Sequence, residues 1–347
     1  MRIVRTELLQ VLGRVAAGLS KAGYLEQSNC FVFRDGQCLT FNDDVCCRTR
    51  SGLPDDLEGA VLAAPLVKAL EMLTDDEIDV AAAGTHLVFG TGRKKIKVVM
   101  ADRVLLPVDD IDPPDEWHTL PEEFDHAVDH AAQAAGSNDD EFITTCLHFS
   151  PEFVEACDRT QLIRYHLDLK SLTGDTLVKA KHVKPVARLG MRRWGETPQW
   201  LHFRNKTVTY SVRRHVMEYP ELGEIARSRG TSGTLPRGAA EAAHLAAVFS
   251  GDDTANDLVT VELKPGLMVV SGRGDNGEAS ADLETDYTGP PVAFLINPKT
   301  LVRIVEKHHD VEFSDSKLIV RGERWSYVAM LTDPEAPATV PVEDTPE

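Results

Sequence analysis

Long apolar runs, cysteine and basic charge are all scarce in this sequence, and each scarcity removes a class of protein. No apolar run reaches the roughly 18 residues of a membrane-spanning helix, which argues against an integral membrane protein. The opening Met1-Arg2-Ile3-Val4-Arg5-Thr6-Glu7 lacks the apolar segment of a signal peptide, so a cytoplasmic protein is expected. The six cysteines, Cys30, Cys38, Cys46, Cys47, Cys146 and Cys157, form no CxxC pair in 347 residues. That pattern suits small buried strand residues rather than a disulfide framework or a zinc site. Lys and Arg number 37 against 55 Asp and Glu, a formal net charge of -18. A uniformly acidic surface repels nucleic acid, whose non-specific partners neutralise phosphates with Lys and Arg. Net charge does not locate the charges, however, and an acidic exterior with a basic inner face gives the same total.

Catalytic signatures are missing as well. Neither a GxSxG nor a Walker A motif occurs. Gly272-Arg273-Gly274-Asp275-Asn276-Gly277 matches GxGxxG, but the residues after it read as strand where a dinucleotide site needs a helix, so a Gly-rich turn is expected. His126 and His130 have a ligand-like i, i+4 spacing with no HExxH context and no third ligand, and read as solvated or interfacial. His308-His309 suits a helix C-terminus, where positive charge is favourable. The acidic pairs Asp109-Asp110, Asp139-Asp140 and Asp252-Asp253 read as solvated loop carboxylates. No catalytic constellation is present; the expectation is a non-enzyme without metal or cofactor.

What the chain has is repetition. With 42% hydrophobic and 27% charged residues it is globular, and its length suits two or three domains. Phe294 to Leu331 reads as a strand, a Pro-led helix at Pro298-Lys299-Thr300-Leu301, then two strands. Val61 to Met100 has the same order around Pro65-Leu66-Val67-Lys68, and Val178 to Leu189 stands where the second helix of a middle copy belongs. Each copy opens with a helix: Thr6–Ser20 with Thr6 as N-cap, Pro121–Ala135 and Pro236–Phe249. Strands follow. Asp35-Gly36 marks a hairpin, as do Arg204-Asn205-Lys206 and Lys264-Pro265-Gly266; TTCLHFSPEFVEACD and YHLDLK read as further strands. Phe33, Phe149 and Leu263 recur at a spacing of about 115 residues. Asp109–Leu120 and Tyr219–Gly233 read as linkers. The fold class expected is α+β, three tandem copies of a unit with two helices packed on antiparallel sheets.

Basic residues gather on these helices. The second helix of the middle copy carries Lys179, Lys181, Lys184 and Arg188, followed by Arg192 and Arg193. That of the last copy carries Lys299, Arg303 and Lys307 at i, i+4, i+8, along one face. The first copy offers Lys68, with Arg14 and Lys21 on or after its first helix. Arg93-Lys94-Lys95-Ile96-Lys97 and Glu278 to Glu284 read as edge strands of opposite charge, able to pair between chains.

Three tandem units of this kind resemble the bacterial DNA polymerase III β subunit, the sliding clamp, over residues 1 to 332. Phe149 to Leu162, FSPEFVEACDRTQL, is similar to a clamp strand pair ending in a T-D-G-H-R-L-like segment. Tyr219-Pro220-Glu221-Leu222 is similar to an F-P-D-Y linker, and Tyr327 to Leu331 to a C-terminal Y-V-V-M-P. The resemblance implies clamp domains at 1–117, 118–229 and 230–333, followed by an acidic tail, 334–347, expected to be disordered. It implies a ring-forming, head-to-tail homodimer that encircles duplex DNA and tethers a polymerase and a clamp loader through short peptides. Arg14, Lys21, Lys68, Lys181, Lys184, Arg188, Arg192, Lys299, Arg303 and Lys307 would face DNA. Thr144, Cys157, Thr160, Leu162, Pro220, Ile225, Val328, Met330 and Leu331 would line the peptide groove. Arg93, Lys94, Ile96 and Lys97 would meet Glu278, Asp282 and Glu284 across the dimer interface. The chain departs from the motif where Arg159-Thr160-Gln161 replaces Gly-His-Arg, and where Glu224 replaces a basic linker residue. The alternative is a triplicated α+β protein-binding scaffold that does not encircle DNA.

Overall fold

The computed structural model describes residues 1–20, 25–92, 94–138, 141–250, 258–314 and 316–334. The expected Lys21, Arg93, Asp139-Asp140, Asp252-Asp253 and all but the first residue of the tail lie outside them. The chain divides into two compact units: Met1–Ala132 with Asp139–Val154 and Leu167–Glu218, and Gln133–Asn138 with Glu155–His166 and Tyr219–Glu347.

The first unit is built on a twelve-stranded sheet. Its order is Arg2–Val4, Glu77–Ala83, His86–Thr91, Lys94–Ala101, Gly59–Leu62, Cys30–Arg34, Gln37–Phe41, Val45–Arg50, Val208–Arg213, Trp200–Arg204, Arg193–Glu196 and His118–Thr119. The expected hairpin at Asp35-Gly36 turns with φ of 49° and 68°, the doubly left-handed turn that matches strand twist. Four helices belong to this unit: α1 (Arg5–Val15), α2 (Ala63–Met72), α3 (Phe124–Ala131) and α4 (Ala180–Arg188). They pack as the pairs α1/α2 and α3/α4. Leu8, Leu12 and Val15 form the buried stripe of α1, and Val183 and Val186 that of α4. Cys30, Cys38, Cys46, Cys47 and Cys146 are buried strand residues with free thiols, as their spacing led us to expect.

The second unit holds two strand groups. One runs Gln161–His166, Trp325–Met330, Lys317–Arg321, Asp310–Ser314, Thr231–Thr234. The other runs Gly277–Glu284, Leu267–Gly274, Val259–Lys264, Val292–Ile296. Its helices are α5 (Gly223–Ala226), α6 (Ala239–Ala247) and α7 (Pro298–Val305). Asn297 caps α7 by accepting the Lys299 N–H at 2.9 Å, with Pro298 leading the helix. The GxGxxG run is strand, turn and strand, as its sequel indicated.

Several expectations need correction. Helix α1 begins at Arg5, with Val4 in extended conformation as N-cap, so Thr6 lies inside it. Helices α3 and α6 are shorter than their periodic stretches; a 3-10 turn, Ala132–Ala134, continues α3. In YHLDLK the strand stops at His166; Leu167 and Leu169 donate instead to Glu152 O and Pro151 O. Pro65, expected to lead its helix, is the third residue of α2. The first linker is part of the fold: its Ile111, with Leu106 and Val108 just ahead of it, is buried in one cluster with Trp200 and Phe41, and Arg48 donates to the Val108 and Ile111 carbonyls. The second linker contains α5 and the strand Thr231–Thr234.

Candidate partner groove and nucleic-acid interface

In the second unit Leu162 lies directly opposite Val328, and Val328 opposite Ile319, so three neighbouring strands present one apolar row. The short α5 lies across two of these strands. Leu222 and Ala226, one turn apart on and before α5, bury on the row; Cys157, Tyr219 and Ile225 pack at its partly exposed rim. The structure therefore brings Cys157, Leu162, Ile225 and Val328 into one cluster. Burial pushes the Cys157 thiol above its usual value. Pro220 and Met330 are exposed, with the Met330 N–H donating to Thr160 O at 2.7 Å, and Leu331 is buried. Thr144 belongs to the other unit, in the 3-10 turn Phe142–Thr145. Sequence reasoning missed Ile319 and Ala226, and placed neither Leu222 nor Tyr219 in the groove. The i, i+4 pair Leu222/Ala226 was the available signal for Ala226, and none marked the register that brings Ile319 in.

The turn before Leu162 is held by Asp158. Its Oδ1 accepts from Thr160 N (3.0 Å), Gln161 N (3.0 Å) and Thr160 Oγ1 (2.8 Å), and its Oδ2 from Gln161 Nε2 (2.6 Å). Arg159, which replaces the motif's Gly, adopts φ 74°, a left-handed conformation that Gly enters without penalty. Below, Tyr327 OH donates to Gln161 Oε1 (2.8 Å), and Arg164 Nε meets the buried Glu155 Oε2 at 2.7 Å.

The basic helix residues differ in exposure and in the contacts they make. Lys181, Lys184 and Arg188 are exposed on α4, with Arg192 exposed just after it. Lys68 is exposed on α2, and Arg14 half-buried on α1. On α7 Lys299 is exposed, with no partner among the described residues. Arg303 donates to Gln133 O (2.7 Å) and Lys307 to Gln133 Oε1 (3.1 Å), so both hold Gln133, which lies in the second unit with them. Lys179 pairs with Asp44 at 3.1 Å. Helices α3 and α6 carry no Lys or Arg; their polar residues are Asp125, His126, Asp129 and His130, and Glu241 and His244. The His126 and His130 rings stack, 5.7 Å apart. Among the described residues no group of three His, Cys, Asp or Glu is placed to hold a metal.

The two charged strands are both edges. Lys94–Ala101 pairs along its length with His86–Thr91, but on its other side meets Gly59–Leu62 only at Met100 and Ala101. The stretch with Lys94, Ile96 and Lys97 is thus open on that side. Gly277–Glu284 is the outer strand of its sheet and exposes Glu278, Asp282 and Glu284 on one face.

No protein-family model and no curated sequence matches the chain. Solved structures do. The Caulobacter crescentus β sliding clamp superposes with a TM-score of 0.83 at 18% identity, covering 96% of this chain and 98% of that one. The DNA polymerase III subunit β of Pseudomonas aeruginosa gives 0.79 at 18%, covering 96% and 99%. The Bacillus subtilis DNA polymerase sliding clamp gives 0.80 at 13%, covering 96% and 98%. The α+β chain has, over nearly its whole length, the fold of the bacterial DNA polymerase III β subunits, the sliding clamps, carried by a sequence far diverged from these three.

Proposed function

We propose that the protein is a DNA polymerase processivity factor, a cytoplasmic, non-enzymatic clamp that closes as a head-to-tail homodimer around duplex DNA. The observation that carries this is the conjunction of the clamp fold with exposed Lys181, Lys184 and Arg188 along one helix of a chain of net charge -18. Phosphate contacts of this kind hold a duplex without reading bases, which permits sliding. The helix pairs α1/α2, α3/α4 and α6/α7 fall one into each of the domains proposed at 1–117, 118–229 and 230–333. Lys94, Ile96 and Lys97 of one chain, continuing to Arg93, would pair with Glu278, Asp282 and Glu284 of the next. The apolar row of Leu162, Ile319 and Val328, rimmed by Cys157 and Ile225, is the proposed seat for short peptides of a polymerase and a loader. Leu222 and Ala226 cover that row, so α5 must shift for a peptide side chain to enter.

A topological test decides the matter. The protein, loaded on nicked circular DNA, should stay bound through gel filtration and run off when the circle is linearised. The second reading, a protein-binding scaffold, is favoured by the absence of Lys and Arg from α3 and α6 and by the engagement of Arg303 and Lys307 with Gln133. It predicts equal loss from circular and linear DNA.

A further inference from the structure

Two adjoining cavities, of about 360 and 450 Å³, open in the first unit and share Arg204, Asn205, Lys206 and Thr207. Between them they are lined by Arg48, Arg50, Arg192, Arg193, Arg204 and Lys206, and by no Asp or Glu. In a chain with 55 acidic against 37 basic residues, that segregation is opposite in sign to the whole molecule.

Strand register explains how the charges gather. Arg48 lies opposite Thr209, Thr209 opposite Arg204, and Arg204 opposite Arg193, so four adjacent strands put one row on one face of the sheet. The alternate residues Phe203 and Tyr210 point the other way: Phe203 packs on Phe124 of α3 at 5.5 Å, and Tyr210 OH donates to His182 O of α4 at 2.8 Å. The arginine row therefore lies on the face turned away from α3 and α4, separate from the basic residues of those helices. Arg193 directly opposite Arg204 is a like-charge pair, which destabilises a sheet unless an anion lies between. Two of the row are braced. Arg48 is held by the Val108 and Ile111 carbonyls, and Arg204 lies 3.9 Å from the Trp117 ring centre. Arg50, Arg193 and Lys206 are exposed, with no ion pair among the described residues; the Arg192 charge opposes the rise that burial gives the Asp125 carboxyl.

We propose that this double cavity binds a phosphate-bearing nucleotide, free or as part of a single strand. Arg50, Arg193, Arg204 and Lys206 take the phosphoryl oxygens, and the base lies beside Trp117. Guanidinium forks match phosphate geometry, and one negative charge does not balance cations spread over two lobes. An aromatic ring in a basic recess is the combination that holds an unpaired nucleotide. An acidic peptide shares the charge but makes no use of the ring.

The test titrates the full-length protein with a nucleoside triphosphate and, separately, with a short labelled oligothymidylate, following tryptophan fluorescence and anisotropy. Wild type binds at least one of them, with affinity that falls as salt rises. Arg193→Ala with Lys206→Ala weakens binding by about tenfold or more without lowering the melting temperature of the ligand-free protein. Lys170→Glu, an exposed residue of the same unit that lines neither cavity, leaves it unaltered. Trp117→Phe keeps binding but removes the fluorescence change. Competition by the strand against the triphosphate assigns the site to nucleic acid; binding of the triphosphate alone assigns it to a free nucleotide. The proposal is overturned if neither ligand binds at millimolar concentration, if the Arg193/Lys206 variant binds like wild type, or if a poly-glutamate peptide displaces either ligand at equal charge concentration.

Discussion

His202 is buried in the sheet of the first unit, with Nε2 3.1 Å from Thr197 Oγ1 and Nδ1 2.8 Å from Ser211 Oγ. Burial, and then the Arg48 charge, push its pKa down to about 4 from 6.5. The folded value is depressed, so the folded state holds the neutral ring. Its contribution is full above the unfolded value of about 6.5 and is lost as pH falls toward about 4, amounting to roughly 3 kcal/mol. The urea midpoint should therefore drop between pH 7 and pH 4.5, and His202→Gln should be weaker at pH 7 yet flatter over this interval. A variant with the wild-type slope would assign the loss to other groups. Asp44 runs in the same direction at lower pH. Burial raises its carboxyl, but His182 and Lys179 outweigh burial and hold it well below the usual range. Its contribution is present above about pH 4 and vanishes in stronger acid. Neither role was legible in the sequence. His202 sits in WLHFR among apolar residues, and its partners come from the register opposite Ser211 and from Thr197 in the preceding turn.

At the scale of elements, Gly272 fixes how closely α6 can lie on its sheet. A Cβ there would collide with the Ala246 carbonyl in the helix's last turn. Gly272→Ala should push α6 outward and cost about 2 kcal/mol or more, read as a lowered melting temperature. Gly13, within α1, has nothing near an added methyl, so Gly13→Ala should stabilise by up to about 1 kcal/mol. These two outcomes separate a packing glycine from a merely flexible one. GxGxxG was legible as a turn because a strand follows it, but the helix pressing on Gly272 comes from residues much earlier in the chain. Elements with a local signal could be read directly: the Asp35-Gly36 hairpin, and α7 with its Asn297-Pro298 start. Helix α5, four residues long, shows only the single i, i+4 pair Leu222/Ala226. The linker's Ile111 is hidden among Asp and Pro, and the run Val104 to Val108 ahead of it carries no helical or strand period. The clustering of Leu162 with Val328 followed from a family likeness; Ile319 depends on a strand pairing that no local pattern encodes.

For the whole molecule, charge sign is the testable quantity. Lys94→Glu with Lys97→Glu should convert the proposed dimer to monomers in sedimentation velocity. Adding Glu278→Lys and Asp282→Lys should restore it, since each pairing then has opposite signs again. A doubly substituted chain that still sediments as a dimer would place the interface elsewhere. The wild-type dimer should also weaken at high salt, because the charges concerned are exposed. The order of helices and strands made the clamp fold legible from the sequence, since the pattern repeats even where residues do not. The arginine row was not legible, being assembled from strands far apart in sequence.

The two open edges have a further consequence. One chain carries one of each: the side of Lys94–Ala101 left free before Met100, and the outer side of Gly277–Glu284. On the proposed pairing, every union of two chains uses one basic and one acidic edge and leaves one of each at the ends. Growth then stops only when the last pair meets the first. A substitution that altered the angle between the two edges without weakening either would turn a finite assembly into a filament, and its symptom would be viscosity rather than dissociation.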